Sequence, residues 1–325
     1  MFAGLCADGA GRDISRKRHI RNFVPLQNVF SDTSARHKCQ TQINEKGRIP
    51  ANAGLFTKSG KNIRRREQNN LLHEAGAPER APENWGIDVR KSLPEFKYMT
   101  FDVVGTLIDF EAGIKHCLAE IAAEAGVAID GEEALGLYRA ARYSKDADLF
   151  PDDLVRVYLA IAPKLGLPAE RKQGQRFRDS AKNWKGFADS AEALARLAKG
   201  HRLIAMTNAR RWAFDFFARE LGNPFYAAFT ADDTGTEKPD PVFFEKVFAF
   251  VDSEGDSKDD ILHVAQSQYH DIGISRKLGL TNCWIERRHA QKGYGGTIEP
   301  AEFTEPDYHF TSMAGLADAV AVERS

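Results

Sequence analysis

From residue 98 to near the C-terminus, six short β-rich runs alternate with stretches of helical periodicity. No other feature constrains the fold as strongly. Strands separated by helices pair in parallel, and a parallel sheet needs cover on both faces. The runs lie at 98–104, 202–207, 226–230, 261–265, 282–285 and 307–310. They predict an α/β fold with a Rossmann-like, doubly wound parallel sheet. After the first run, four stretches at 114–126, 132–144, 152–166 and about 171–184 carry apolar residues at spacings of three and four, as amphipathic helices do. A helical insert there predicts a cap over the end of the first strand. Ligands of such sheets bind beyond the carboxyl ends of the strands.

The charge divides the chain differently. The 325 residues sum to −1, but residues 1–90 hold 16 Lys and Arg against 9 Asp and Glu, a surplus of seven positive charges. The remainder carries the opposite surplus. Residues 1–95 show no sustained period and few apolar runs, so a disordered basic extension is expected. The run Arg64-Arg65-Arg66 can attract nucleic acid, but no interleaved aromatics support a binding platform, and no nucleic-acid partner is expected. The first methionine after Met1 is Met99, just before the first motif described below. A start near it would retain that motif, so a mistaken upstream extension to about residue 92 is a second reading of the segment. The expected organisation is this extension, a core of residues 96–112 and 188–325, and a helical cap of residues 113–187.

Hydrophobic residues make up 42% of the chain, which suits a globular protein. No run of about 18 apolar residues occurs, so no membrane span is expected. Cys6, Cys39, Cys117 and Cys283 are scattered without a CxxC pair, which argues against a zinc site and suits a reducing cytoplasm.

Four pieces fall at predicted strand ends. Asp102 is followed by Val103, Val104, Gly105 and Thr106, and a carboxylate before a glycine turn can act as an exposed nucleophile. Thr207-Asn208 offers a hydroxyl and an amide, although both residue types also cap helices. Lys238-Pro239 presents a lysine able to offset clustered negative charge. The stretch from His263 to Asp271 (HVAQSQYHD) again runs from a strand into a helix.

In this order and spacing the four pieces resemble the haloacid dehalogenase superfamily of aspartate-nucleophile hydrolases, over about residues 97–290. The resemblance implies that Asp102 forms a covalent ester with the substrate, that Thr207 and Asn208 bind the anionic or leaving group, and that Lys238 orients the nucleophile. Thr106, Gln266, Ser267 and His270 join the expected substrate site, and Asp271 sits in the fourth motif.

The superfamily's phosphatases carry a second aspartate two residues after the nucleophile, where this chain has Val104. Valine cannot serve as a general acid. They also carry Gly-Asp in the fourth motif, where the chain has Ala265-Gln266, and neutral Gln is a poor ligand for a hard cation. Displacing a halide from carbon needs neither an acid nor a metal. The sequence therefore resembles the L-2-haloacid dehalogenase branch, with no cofactor and a small 2-haloacid as substrate. Asp271 is the candidate to orient or activate water. That branch uses a cap arginine to grip the halide, and Arg139 is the first candidate here, with Arg142 one turn on as the second. The chain departs from the branch at Gln266 and Gln268, at Phe244 where a tyrosine is expected, and at Val103 and Val104 beside the nucleophile. A phosphatase with atypical Mg2+ ligation and a weakly catalytic ligand-binding protein stay open as alternatives. Relatives of this branch include homodimers, although no interface is legible in the sequence. Asp109 is expected to cap a helix, Trp184 and Phe187 to pack where insert meets core, and Arg287 and Arg288 to be solvated.

Overall fold

The computed structural model describes residues 91–325, and the expectations for residues 1–90 lie outside the described residues. Ten α-helices and six strands follow in order: β1 (Tyr98–Asp102), α1 (Phe110–Ala125), α2 (Gly131–Arg142), α3 (Leu154–Ile161), α4 (Arg171–Asp179), α5 (Ser190–Leu197), β2 (Arg202–Thr207), α6 (Arg211–Glu220), β3 (Ala227–Thr230), α7 (Ala231–Thr234), α8 (Pro241–Ser253), β4 (Ile261–Ala265), α9 (Gly273–Lys277), β5 (Asn282–Ile285), β6 (Tyr308–Phe310) and α10 (Met313–Glu323). All strand pairs are parallel, in the order β3-β2-β1-β4-β5-β6. This is the doubly wound sheet the alternation predicts. Every residue of β1 and β4 is buried, as sandwiching between helical layers requires.

The chain order reverses between β1 and its neighbour β4. The sheet therefore has its switch point there, where the two βα connections diverge and leave a crevice. Asp102 is the last residue of β1. Thr207 ends β2 and Gln266 follows β4, so the sequence motifs converge on one edge because of strand order.

Helices α1 to α4 occupy the connection from β1 to β2 and pack on one another. The insert begins earlier than residue 113. Asp109 caps α1 by accepting from the Ala112 amide at 2.9 Å, so Phe110 already lies in the helix. At the other end, Trp184 is buried between Phe110, Phe150 and Phe217, stacking on the last at 6.1 Å.

Two expectations need correction. Residues 91–95 belong to the folded body: Leu93 is buried and its amide donates to Glu323 at 2.7 Å. A chain starting at Met99 would lack Leu93, Phe96 and Tyr98, all of which are core residues. The fourth motif also does not enter an ordinary helix. A wide π-type turn over Gln268–Ile272 precedes α9 and places Asp271 inside the turn. Among the described residues, no helix is long and apolar enough to cross a membrane.

Candidate active site

At the centre, the Lys238 ammonium bridges two carboxylates. Its Nζ donates to Asp102 Oδ1 at 2.9 Å and to Asp271 Oδ1 at 2.6 Å. All three residues are almost fully buried. Burial of three charges is tolerable only because they are mutually paired.

Local structure fixes each member. Gly105, at φ +98°, turns the chain directly after β1, a conformation that L side chains rarely adopt. The turn brings Thr106 back over Asp102, and the Thr106 hydroxyl donates to Asp102 Oδ2 at 2.6 Å. The same hydroxyl oxygen accepts from the Gln266 amide at 2.8 Å, which ties the β1 turn to the end of β4. Lys238 is held through its backbone. Asn208 Oδ1 accepts from the Lys238 amide at 2.7 Å, and Asn208 Nδ2 donates to the Lys238 carbonyl at 2.9 Å. Both ends of the Asn208 side chain are thus engaged in placing the lysine. Thr207 Oγ1 accepts from the Ala209 amide at 3.1 Å.

Burial pushes the Asp102 carboxyl above the ordinary carboxylate range, against the pull of Lys238 and the Thr106 hydrogen bond. Asp271 is equally buried, yet Lys238 and His263 outweigh its desolvation and hold it at about 2. Lys238 is raised: its burial opposes the charge, but the two carboxylates prevail. Burial lowers His270 to about 4, so its ring is neutral over the physiological range.

A cavity of about 70 Å³ opens over this array. Asp102, Thr207, Asn208, Lys238, Gln266, Ser267, His270 and Asp271 line it from the sheet side. Phe110, Tyr138, Arg142, Tyr143 and Phe150 line it from the insert. Thr106 lies beneath the floor, acting through Asp102. Ser267 Oγ accepts from the His270 amide at 3.0 Å and lies 3.0 Å from His270 Nδ1, which fixes the imidazole beside Tyr143.

The two arginine candidates separate. Arg139 does not line the cavity; its NH1 donates to the Gly295 carbonyl at 2.5 Å. Arg142, three residues further along α2 and so offset around the helix from Arg139, does line it. Its NH2 donates to both Glu237 oxygens, at 2.9 and 3.1 Å, and its NH1 lies 3.7 Å from Asp153. The guanidinium thus hydrogen-bonds Glu237 through NH2 while the residue lines the cavity.

Arg287 is not solvated either. It donates to the Thr106 carbonyl at 2.8 Å, pairs with Asp189 at 2.9 Å and lies over the Phe187 ring, so it braces the turn behind Asp102. Arg288 pairs with Glu111 and Glu132. Phe244 is a core residue packed edge-on to His263, and Gln268 faces away, accepting from the Thr304 amide at 3.0 Å.

Thr297 also enters the cavity, and sequence reasoning missed it. It lies on a loop clamped by Arg139 and by Glu111, whose Oε1 accepts from the Gly296 amide at 2.8 Å. A Cβ on Gly296 would sit 2.7 Å from the Phe110 ring, so only glycine allows this approach. The consecutive Gly295-Gly296 was the available signal. Glu237, the partner of Arg142, was adjacent to a recognised lysine and equally overlooked.

Magnesium does not fit these residues. An ammonium occupies the space between the two carboxylates that line the cavity among the described residues, and the third polar position is neutral Gln266. Among the described residues, no group of three or more His, Cys, Asp or Glu side chains is arranged to hold a metal ion.

A family model of haloacid dehalogenase-like hydrolases matches residues 96–264. The chain belongs to this family. It is a hydrolase. Among solved structures, the L-2-haloacid dehalogenase PA0810 superposes with a TM-score of 0.59 at 20% identity, covering 70% of this chain and 99% of that one. The L-2-haloacid dehalogenase of Xanthobacter autotrophicus with chloropropionic acid covalently bound gives 0.53 at 17% identity, covering 70% and 98%. The HAD hydrolase YfnB of Bacillus subtilis, bound to magnesium, gives 0.56 at 19% identity, covering 70% and 99%. At these identities the superpositions establish the fold. No curated protein sequence matches the chain.

Proposed function

We propose that the protein hydrolyses the carbon–halogen bond of a small 2-haloacid without a metal, through an ester on Asp102. The observation that carries this reading is the Asp102–Lys238–Asp271 array, in which an ammonium stands between the carboxylates beside a position, Val104, that offers no acid. A carboxylate nucleophile needs a compensating charge and a dry site, and it needs no proton donor when the leaving group is a halide. The cavity of about 70 Å³ has room for on the order of five to seven water-sized groups, which suits an acid of two or three carbons.

In this reaction an Asp102 oxygen attacks the halogen-bearing carbon, and the halide leaves with the bonding pair toward the Arg142 guanidinium. The substrate carboxylate lies near Thr207, Ser267 and Gln266. Water then attacks Cγ of the Asp102 ester, Asp271 takes the water proton, and that proton passes to the departing 2-hydroxyacid oxygen. Helices α1 to α4 act as the cap that excludes bulk water. Asp271, held ionised by Lys238 and His263, is the carboxylate that accepts the water proton, and neutral His270 lines the wall without adding charge.

The test is halide release from chloro-, bromo- and fluoroacetate and from L-2-chloropropionate, alongside phosphate release from p-nitrophenyl phosphate, each with magnesium and with EDTA. Halide release indifferent to EDTA, with an ester trapped on Asp102, is the expected result. Magnesium-dependent phosphate release without halide release would overturn the reading.

A further inference from the structure

The hydrogen bonds of Asp271 are unevenly distributed. Its Oδ1 receives Lys238 Nζ at 2.6 Å and His263 Nε2 at 3.1 Å, while its Oδ2 is buried with no hydrogen-bond partner in the protein. The Asp271 side chain lines the cavity, and Oδ2 is its carboxylate oxygen left without a donor from the protein. His263 is fully buried on β4, opposite Thr100 of β1 in the strand register. Thr100 Oγ1 lies 2.8 Å from His263 Nδ1. An ionised carboxylate only accepts, so Nε2 carries the proton that points at Asp271, and Nδ1 faces the Thr100 hydroxyl. The Phe244 ring packs edge-on against the imidazole and holds its plane. A three-membered relay, Thr100 to His263 to Asp271, thus runs along the sheet beneath the cavity.

We infer that His263 is a positioning residue for the hydrolytic half of the reaction, holding Asp271 so that Oδ2 faces the water that cleaves the Asp102 ester. The inference rests on the ester mechanism proposed above. Once Asp102 is esterified it is neutral, and the Lys238 charge then bears on Asp271 alone, lowering its basicity. The imidazole N–H fixes the plane of the carboxylate through Oδ1 and leaves Oδ2 without a protein donor. In the step itself, the water oxygen bonds to Cγ of Asp102 and its proton moves to Asp271 Oδ2. The tetrahedral adduct then expels the 2-hydroxyacid oxygen, which takes that proton. His263 keeps its own proton throughout.

Rapid-quench mass spectrometry with bromoacetate separates the two halves. In His263→Leu, the ester on Asp102 forms within a few-fold of the wild-type rate but accumulates, and steady-state bromide release falls by about 10- to 100-fold. His263→Gln, whose amide nitrogen takes the place of Nε2, restores most of the hydrolysis. Thr100→Val frees the ring to turn, accumulates ester to a smaller extent, and serves as the reporter if the leucine variant does not fold. Equal slowing of both halves, or a glutamine variant no better than leucine, overturns the inference. Nitrogen-15 NMR of the unreacted enzyme gives an independent reading: protonated Nε2 with bare Nδ1 supports the relay, and the reverse tautomer removes it. If wild-type enzyme forms no ester with bromoacetate, the proposed reaction fails, while the tautomer still upholds or overturns the positioning on its own.

Discussion

The two walls of the cavity are built on different principles. On the sheet wall, Asp102, Lys238 and Asp271 come from three separate connections, and each is tied down by short hydrogen bonds from the backbone or from immobile neighbours. On the insert wall, four aromatic rings and Arg142 do the lining, and the Arg142–Glu237 pair is the hydrogen-bonded ionic link from that wall to the sheet side. The first wall is preorganised for chemistry, since its charges are compensated before any substrate enters. The second is a surface of shape, suited to choosing what enters. Changes to the sheet wall should therefore abolish the reaction, and changes to the insert wall should grade or redirect it.

The most severe test of that contrast is Asp102→Asn. It removes the nucleophile proposed above with almost no change of volume, and halide release should fall by on the order of 10⁴-fold or more while the protein stays folded. A residual rate within tenfold of wild type would break the assignment of the sheet wall. Lys238→Met should lose activity and also about 3–5 kcal/mol of stability, because two buried carboxylates remain without their cation. Urea unfolding checks this. The deficit should shrink as pH falls, since protonating the orphaned carboxylates removes the uncompensated charge.

Across the cavity, Arg142→Ala should slow halide departure by about 10²-fold, the usual cost of one lost donor to a developing anion. Arg142→Lys should recover only part of it, because a point charge does not satisfy Glu237 through two hydrogen bonds. The pH profile bears on the sheet wall again. Asp102 must be ionised to attack, and its carboxyl titrates above the ordinary range because it is buried. The rate in kcat/KM should therefore fall on acidification at a pH above the usual 3.8 of an aspartate. Asp271, held at about 2, should not contribute to that limb. The smallest effect is expected from Arg139→Ala, which removes one hydrogen bond from the Gly295 carbonyl and should cost about 0.5–1.5 kcal/mol of stability. An Arg139 variant more damaging to turnover than its Arg142 counterpart would reverse the roles given to the two arginines.

Much of the sheet wall was legible because its motifs are local. Asp102, its glycine turn and Thr106 lie within five residues, and a nucleophile turn needs those residue types at that spacing. The insert wall was less legible. Arg139 and Arg142 sit on one helix three residues apart, and periodicity alone does not say which faces the sheet. Thr297 was invisible because its position depends on a loop pinned by Glu111 and Arg139, both distant in sequence. Asn208 was read as a ligand for the substrate, yet both ends of its side chain hold the Lys238 backbone. That pairing spans two connections and leaves no local signature. His263 is a core residue at the start of the fourth motif, and its bond to Asp271 required knowing that the π-type turn folds the aspartate back over the strand.

The sequence by itself determined the parallel sheet, the helical insert after its first strand, and the convergence of the motif residues on the strand ends. Hydrophobic periodicity sets element type, and alternation of element types sets a parallel topology. Only the tertiary structure decided which arginine meets the cavity, which loop closes it, and how three buried charges share two carboxylates and one ammonium. Those outcomes depend on distances between segments far apart in sequence, and burial gives such distances their energetic weight.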